Sequence, residues 1–241
     1  MKTESSVLAT KLNTFVRLSE GERRCLEQMQ SAPIPVERGV EFIHQGEMGN
    51  VAYILESGWA CSFKLLPDGG RQVITFPIPG DCVGLRSILL RTADHSVTAV
   101  TDAVVSRVQV ARMLEVFSEF PHLAAAILWA TSRDEAMVVE HLASVGRRSA
   151  LERTAHFFLE LHDRLNLVDL ALDGEFTCPL NQYALGDALG LSAIHVNRVL
   201  RVLRERNLMT LKGQVVKLHN VPELKQLAGY ETPEEVAVLK R

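Results

Sequence analysis

Between Ile34 and Val110, short runs of β-branched and aromatic residues are separated by turn residues. Glycine recurs about every ten positions, at Gly39, Gly46, Gly49, Gly58, Gly69, Gly70, Gly80 and Gly84. Alternation in "VAYIL" puts Val51, Tyr53 and Leu55 on one face. In "WACSFKLL" it groups Trp59, Cys61, Phe63 and Leu65 on another. "PDGG" at 67–70 reads as a tight turn between "FKLL" and "QVITF". Evenly spaced short strands with such turns predict a β-barrel or sandwich.

After Arg107 the period changes. Residues 111–120 suit a short helix, and Pro121 is a natural first-turn residue for the next. From Pro121 to about Val145 there is no turn residue. Apolar positions Ala124, Leu128, Thr131, Val138, Leu142 and Val145 form a seam suited to a helix–helix interface, or to lying on the barrel. Trp129 and Met137 read as interface packing. Gly146 marks an expected break and Ser149 a helix cap. Leu151, Ala155, Phe158, Leu161 and Leu165 then line one face. This divides the chain near Gly146, into 1–145 and 146–241.

Downstream, Asn181 can cap a helix that is apolar at Tyr183, Leu185 and Leu189 and ends at Gly190. Ser192 can cap a second helix from Ala193 to about Arg206, giving a helix-turn-helix. Gly186 supplies a small residue where the two helices cross. The second helix buries Val196, Val199, Leu200 and Leu203. Its other face carries His195, Asn197, Arg198 and Arg201, and Arg204 and Arg206 add to its charge. "LMTL" and "VVKLH" around Lys212-Gly213 read as a β-hairpin wing. A helix of this kind fits the major groove, where Arg pairs with the O6 and N7 of guanine. Lys212 and Lys217 can neutralise phosphates. A basic face alone is also what any solvated helix carries; the turn, the burial pattern and the wing together point to DNA.

Bulk properties narrow the class without deciding it. With 241 residues, 47% hydrophobic and 23% charged, the chain has the mixture of a globular protein. The net charge of −3 means that any nucleic-acid surface is local. The longest uncharged run, Phe120 to Ser132, is too short to span a bilayer. The N-terminus has no signal-peptide pattern, so no membrane association and a cytoplasmic location are expected. Cys25, Cys61, Cys82 and Cys178 form no C-x-x-C pair, and no metal site is expected. Cys178 sits just before the helix-turn-helix, but no neighbouring cation favours a reactive thiolate. The tail from Asn220 reads as a short amphipathic helix followed by an acidic stretch.

"GVEFIHQGEMGNVAYILESGWACSF", "PGDCVGL" and "LSAIHVNRVLRVL" resemble segments of the Crp/Fnr superfamily of transcription regulators, over about residues 25–220. The resemblance implies an α+β chain: an N-terminal β-roll (a double-stranded β-helix or jelly roll), a long dimerisation helix over about 121–145, and a C-terminal winged helix-turn-helix. It implies a homodimer reading a near-palindromic site in double-stranded DNA, controlled by a small-molecule effector in the β-roll; activators of the family contact RNA polymerase. DNA-binding positions are then Ser192, Ile194, His195, Asn197, Arg198, Arg201 and Lys212. The effector pocket falls on Leu85, Arg86, Ser87, His95 and Ser96.

The departures are informative. Cyclic-AMP-binding members carry Glu where Leu85 stands and an Arg-Ser pair where His95 and Ser96 stand, so cyclic AMP is not expected. Arg86 is expected to point away from the pocket if the local backbone is extended. Cluster-bearing members need grouped N-terminal cysteines, and Cys25 alone lies in that region, so no iron–sulfur cluster is expected. His44, His95, His122 and His141 are the histidines to consider for haem, though a lone histidine is more commonly a packed or polar residue. On the recognition helix the family's cytosine-reading Glu is replaced by Ile194, which can touch a thymine methyl instead. A cupin-type β-barrel enzyme is the alternative; it needs two close histidines and a carboxylate, and only His44 and Glu47 are near each other.

Overall fold

A computed structural model describes residues 6–48 and 51–231. Gly49, the first residues of the N-terminus and the acidic end of the tail lie outside the described residues. The chain forms two compact units, 1–135 and 136–234, which divide within one long helix.

The first unit opens with α1 (Val7–Asn13) and α2 (Glu20–Gln28). Six strands follow: β1 (Ile34–Val36), β2 (Glu41–Ile43), β3 (Tyr53–Ser57), β4 (Ala60–Leu65), β5 (Arg71–Thr75) and β6 (Cys82–Val83). A short helix, α3 (Leu85–Leu90), separates them from β7 (Ser96–Ala99) and β8 (Ala103–Arg107). Then come α4 (Val110–Glu119) and α5 (Pro121–Arg147). The strands form two four-stranded antiparallel sheets, ordered β1-β8-β3-β6 and β2-β7-β4-β5. Their shared core contains Val36, Ile43, Leu55, Val83, Val97 and Val105.

Around β3 the β1-β8-β3-β6 sheet is packed on both sides. Leu55 and Val105 face the other sheet, while Ile54 and Val108 pack with Leu12, Leu26, Val116 and Leu123 of the helices. A strand buried on both faces has no polar side to expose. This corrects the alternation expected for "VAYIL": Ile54 is as buried as Leu55. In β4 the run Ala60–Phe63 is buried throughout, and Leu65, expected on its apolar face, is exposed. Trp129 stacks at 4.9 Å on Phe15, in the turn after α1, so its packing partner lies within its own chain.

A buried ion pair joins the helical layer to the roll. Lys11 of α1 donates to Asp81 at 2.6 Å, and Asp81 also accepts from the Ile78 amide at 2.9 Å. The Asp134 carboxylate lies 3.9 Å from the same ammonium. Both members of the close pair are buried. Such a pair adds little net stability, yet removing one partner leaves a buried charge, at about 3–5 kcal/mol.

α5 runs through Gly146, which is therefore not the expected break. The helix ends at Arg147, and Arg148 folds back onto Glu140 (2.8 Å) and Ser144 (2.6 Å). Ser149 then caps α6 (Ala150–Asn166) in a capping box with Glu152. The second unit continues with β9 (Ala171–Leu172), β10 (Glu175–Thr177), α7 (Gln182–Leu189), α8 (Ala193–Glu205), β11 (Met209–Lys212), β12 (Val215–Leu218) and α9 (Val221–Ala228). Its sheet is ordered β11-β12-β10-β9. The wing hairpin turns at Gly213-Gln214, both with positive φ. β9 and β10 were not expected, although Asp173-Gly174 between them is a strong two-residue hairpin signal. α9 buries Leu224 and Ala228 against the rest of the unit.

Candidate nucleic-acid interface

α7 and α8 are built by local chemistry at three points. The Asn181 side chain accepts from the Tyr183 and Ala184 amides and starts α7. Gly190 ends it in the left-handed conformation. Ser192 accepts from the His195 amide and starts α8. The turn between them folds back so that Leu191 N donates to Gly186 O at 2.9 Å. A Cβ at Gly186 would lie 2.5 Å from the Leu191 carbonyl oxygen. Even the single methyl of alanine is excluded there unless the turn moves.

α8 buries Val196, Val199 and Leu203; Leu200, expected to be buried, is half-buried. At 3.6 residues per turn, the three buried positions span roughly 60° of the helix. Ile194, Asn197, Arg198 and Arg201 span roughly 100° on the opposite side, and all four are exposed. Ser192 is exposed at the cap and His195 half-buried at the flank. Lys212 is exposed at the end of β11. Lys217 instead meets Glu175 of the neighbouring strand at 3.3 Å. A polar cleft of about 200 Å³ lies between α7, α8 and the wing, lined by Gln182, Asn197, Leu200, Arg201, Arg204 and Leu211. Gln182 had no sequence signal beyond its position after the cap. Arg204 follows Arg201 by three residues, which puts it on the adjoining face.

The β-roll positions are differently placed. Gly84, with φ +76°, opens α3; a Cβ there would come within 2.8 Å of Ile43 Cδ1 and the Val51 carbonyl. Residues 85–90 are helical and not extended, so strand alternation does not set where Arg86 points. Leu85 packs against the helical layer. Arg86, 59% exposed in its side chain, meets Asp94 at 3.2 Å, and His95 donates to the same carboxylate at 2.7 Å. Burial pushes the Asp94 carboxyl up, but the hydrogen bond and charge of His95, with Arg86, hold it below the usual carboxylate range. Ser87 and Ser96 are buried, and Ser96 Oγ accepts from the Gln45 amide. Cys178 is fully buried, and burial pushes its thiol up to about 11. A buried thiol at that value is inert at neutral pH.

Residues 33–120 match a family model described as a cyclic nucleotide-binding domain, and 152–227 match one described as a Crp-like helix-turn-helix domain. The nitrogen fixation regulation protein FixK of Azorhizobium caulinodans is 31% identical over 180 residues, 74% of this chain and 71% of that protein. The chain belongs to the Crp/Fnr family. The fumarate and nitrate reduction regulatory protein of Vibrio cholerae is 24% identical over 212 residues, 88% of this chain and 84% of that protein. The structure of FixK2 from Bradyrhizobium japonicum superposes with a TM-score of 0.72 at 27% identity, covering 84% of this chain and 99% of the other.

This Crp/Fnr chain is a DNA-binding transcription regulator. The proteins it matches are regulators rather than enzymes, so the cupin-type alternative falls. The expected α+β architecture is present: two antiparallel sheets, a long helix and a winged helix-turn-helix. No described helix is long and apolar enough to cross a membrane.

The tightness of the α7–α8 crossing gives a direct test. Gly186→Ala should destabilise the full-length protein by about 1–3 kcal/mol in urea unfolding. It should also weaken DNA binding, because the turn that aims α8 must shift. Unchanged stability together with unchanged binding would contradict the crossing geometry.

Proposed function

We propose that this regulator binds a near-palindromic operator as a homodimer, with α8 of each protomer in the major groove. The observation that carries the reading is the outward arc of α8. Two arginines, an asparagine and an isoleucine stand exposed directly opposite the buried stripe, beside the exposed Lys212 of the wing. The N-terminal part of a recognition helix is what contacts base edges, so Ile194, Asn197 and Arg198 take the reading positions. Arg201 and Lys212 take phosphates.

Dimerisation through α5 is supported by the apolar side chains that the helix leaves uncovered. Leu128 is 63% and Leu142 74% exposed, with Val138 and Val139 exposed between them. They include three positions of the expected seam, a pattern that suits pairing with the same helix of a second copy. The half-sites then lie about one helical turn, ~34 Å, apart.

Cyclic AMP does not fit the β-roll. A cyclic phosphate taken out of water needs a charged partner, usually a bidentate arginine. Arg86 is turned to Asp94 near the surface, and His95 gives Nδ1 to the same carboxylate. Leu85, packed on the helical layer, offers no acceptor to a ribose hydroxyl. Any effector is of another class, and the regulator otherwise acts without one.

Sedimentation at micromolar concentration should show one dimeric species, and Leu142→Glu should convert it to monomer. A wild-type monomer that stays monomeric on its DNA site would sink the dimer.

Arg198→Ala should cost about 1–3 kcal/mol on the selected operator and relax one base pair per half-site. Lys212→Ala should weaken specific and random DNA alike, lowering the salt slope by about one unit per subunit. An Arg198→Ala protein with unaltered base preference would rule out this docking.

Calorimetric titration with cyclic AMP should give no saturable micromolar binding. Saturable binding that also tightens DNA binding would refute this reading of the β-roll.

A further inference from the structure

With α8 in the major groove as proposed above, the chemistry of its outward side chains limits the bases it can read. From Ala193 to Arg204 there is no Asp or Glu. The exposed reading positions therefore hold no carboxylate to accept from the cytosine amino group. Ile194 is 78% exposed, near the start of the helix, and makes no contribution to the core. The thymine C5-methyl is the apolar group that the major groove presents. Asn197 carries a donor and an acceptor on one amide, which matches adenine N6 and N7. Along the axis, Ile194 and Asn197 are about 4.5 Å apart and Arg198 about 1.5 Å further, against roughly 3.4 Å per base step. All three therefore fall within about three consecutive base pairs.

We infer that Ile194 and Asn197 make α8 a reader of A·T pairs beside the guanine taken by Arg198, with Ile194 covering a thymine methyl and Asn197 pairing with adenine. This assignment rests on the major-groove docking. Specificity at the thymine comes from apolar contact, so it depends on one methyl group and not on a hydrogen bond. Such a contact predicts a sensitivity that hydrogen-bond readout lacks: uracil pairs as thymine does but has no methyl.

The experiment is selection of bound sequences from random DNA by the full-length protein, followed by binding to the selected operator with deoxyuridine in place of each thymine in turn. One thymine per half-site, within two base pairs of the Arg198 guanine, should give a loss of roughly fourfold when its methyl is removed. Ile194→Ala should bind the thymine and uracil operators equally. Ile194→Glu should move the selected base to cytosine, and Asn197→Ala should relax the adenine by about 5- to 150-fold. Circular dichroism should be unchanged in all three variants, since these side chains are exposed. A selected operator on which every uracil exchange is silent, or an Ile194→Glu protein that selects the same bases, overturns the assignment while leaving the docking intact. Failure of the wild type to enrich any sequence overturns the docking as well.

Discussion

How closely α7 approaches the turn before α8 decides what the second unit offers to solvent. The Leu191 amide reaches back to the Gly186 carbonyl, and the Leu191 carbonyl sits where a Cβ of residue 186 would be. That contact sets the crossing of the two helices. The crossing buries Val196, Val199 and Leu203 and leaves the opposite arc uncovered. Arg198 and Asn197 are exposed on this account and not because they are polar: Ile194, on the same arc, is more exposed than most leucines on the chain's surface.

The first unit shows the same dependence of chemistry on packing. Around β3 one sheet is packed on both faces, so apolar side chains point toward both layers, and polar groups buried there need partners. Asp81 finds Lys11 and the Ile78 amide. Asp94 lies between α3 and the start of β7, and its half-exposed carboxylate gathers Arg86 and His95. A cation already neutralised by its own chain is a poor anchor for an incoming phosphate, since binding must first break that pair. The family model that covers this region carries the description of a ligand class, yet a fold does not by itself confer a ligand. The side chains at the site decide it.

The relatives share the architecture at identities of 24–31%, which leaves most surface positions free to differ. A winged helix-turn-helix tolerates this because its core asks only for apolar volume at Leu185, Leu189, Val196, Val199 and Leu203 and for a small residue at 186. The outward arc is under no such demand. Exchanging a side chain there leaves the buried stripe untouched, and an isoleucine can stand at position 194 without structural cost beyond its exposure.

Much of this was legible in the chain's own pattern. The change of period after Arg107, the caps at Ser149, Asn181 and Ser192, the Gly190 stop and a wing turn at Gly213-Gln214, one residue on from the expected Lys212-Gly213, each reflect short-range physics, acting within about four residues. They appear where local chemistry put them. Asp173-Gly174 is equally local, a two-residue turn signal that the β9–β10 hairpin obeys. What only the tertiary structure decided has a common cause: distant segments meeting. Ile54 is buried because α1, α2, α4 and α5 cover the back of its sheet, and Trp129 packs on Phe15 because α1 lies against α5. Arg86 turns to Asp94 because residues 85–90 coil into a helix beneath Gly84. Gly146 looked like a break, but the turn lies two residues later, where Arg148 can reach back to Glu140 and Ser144. Periodicity states which residues share a face; which face is covered, and by what, is settled only when the rest of the chain arrives.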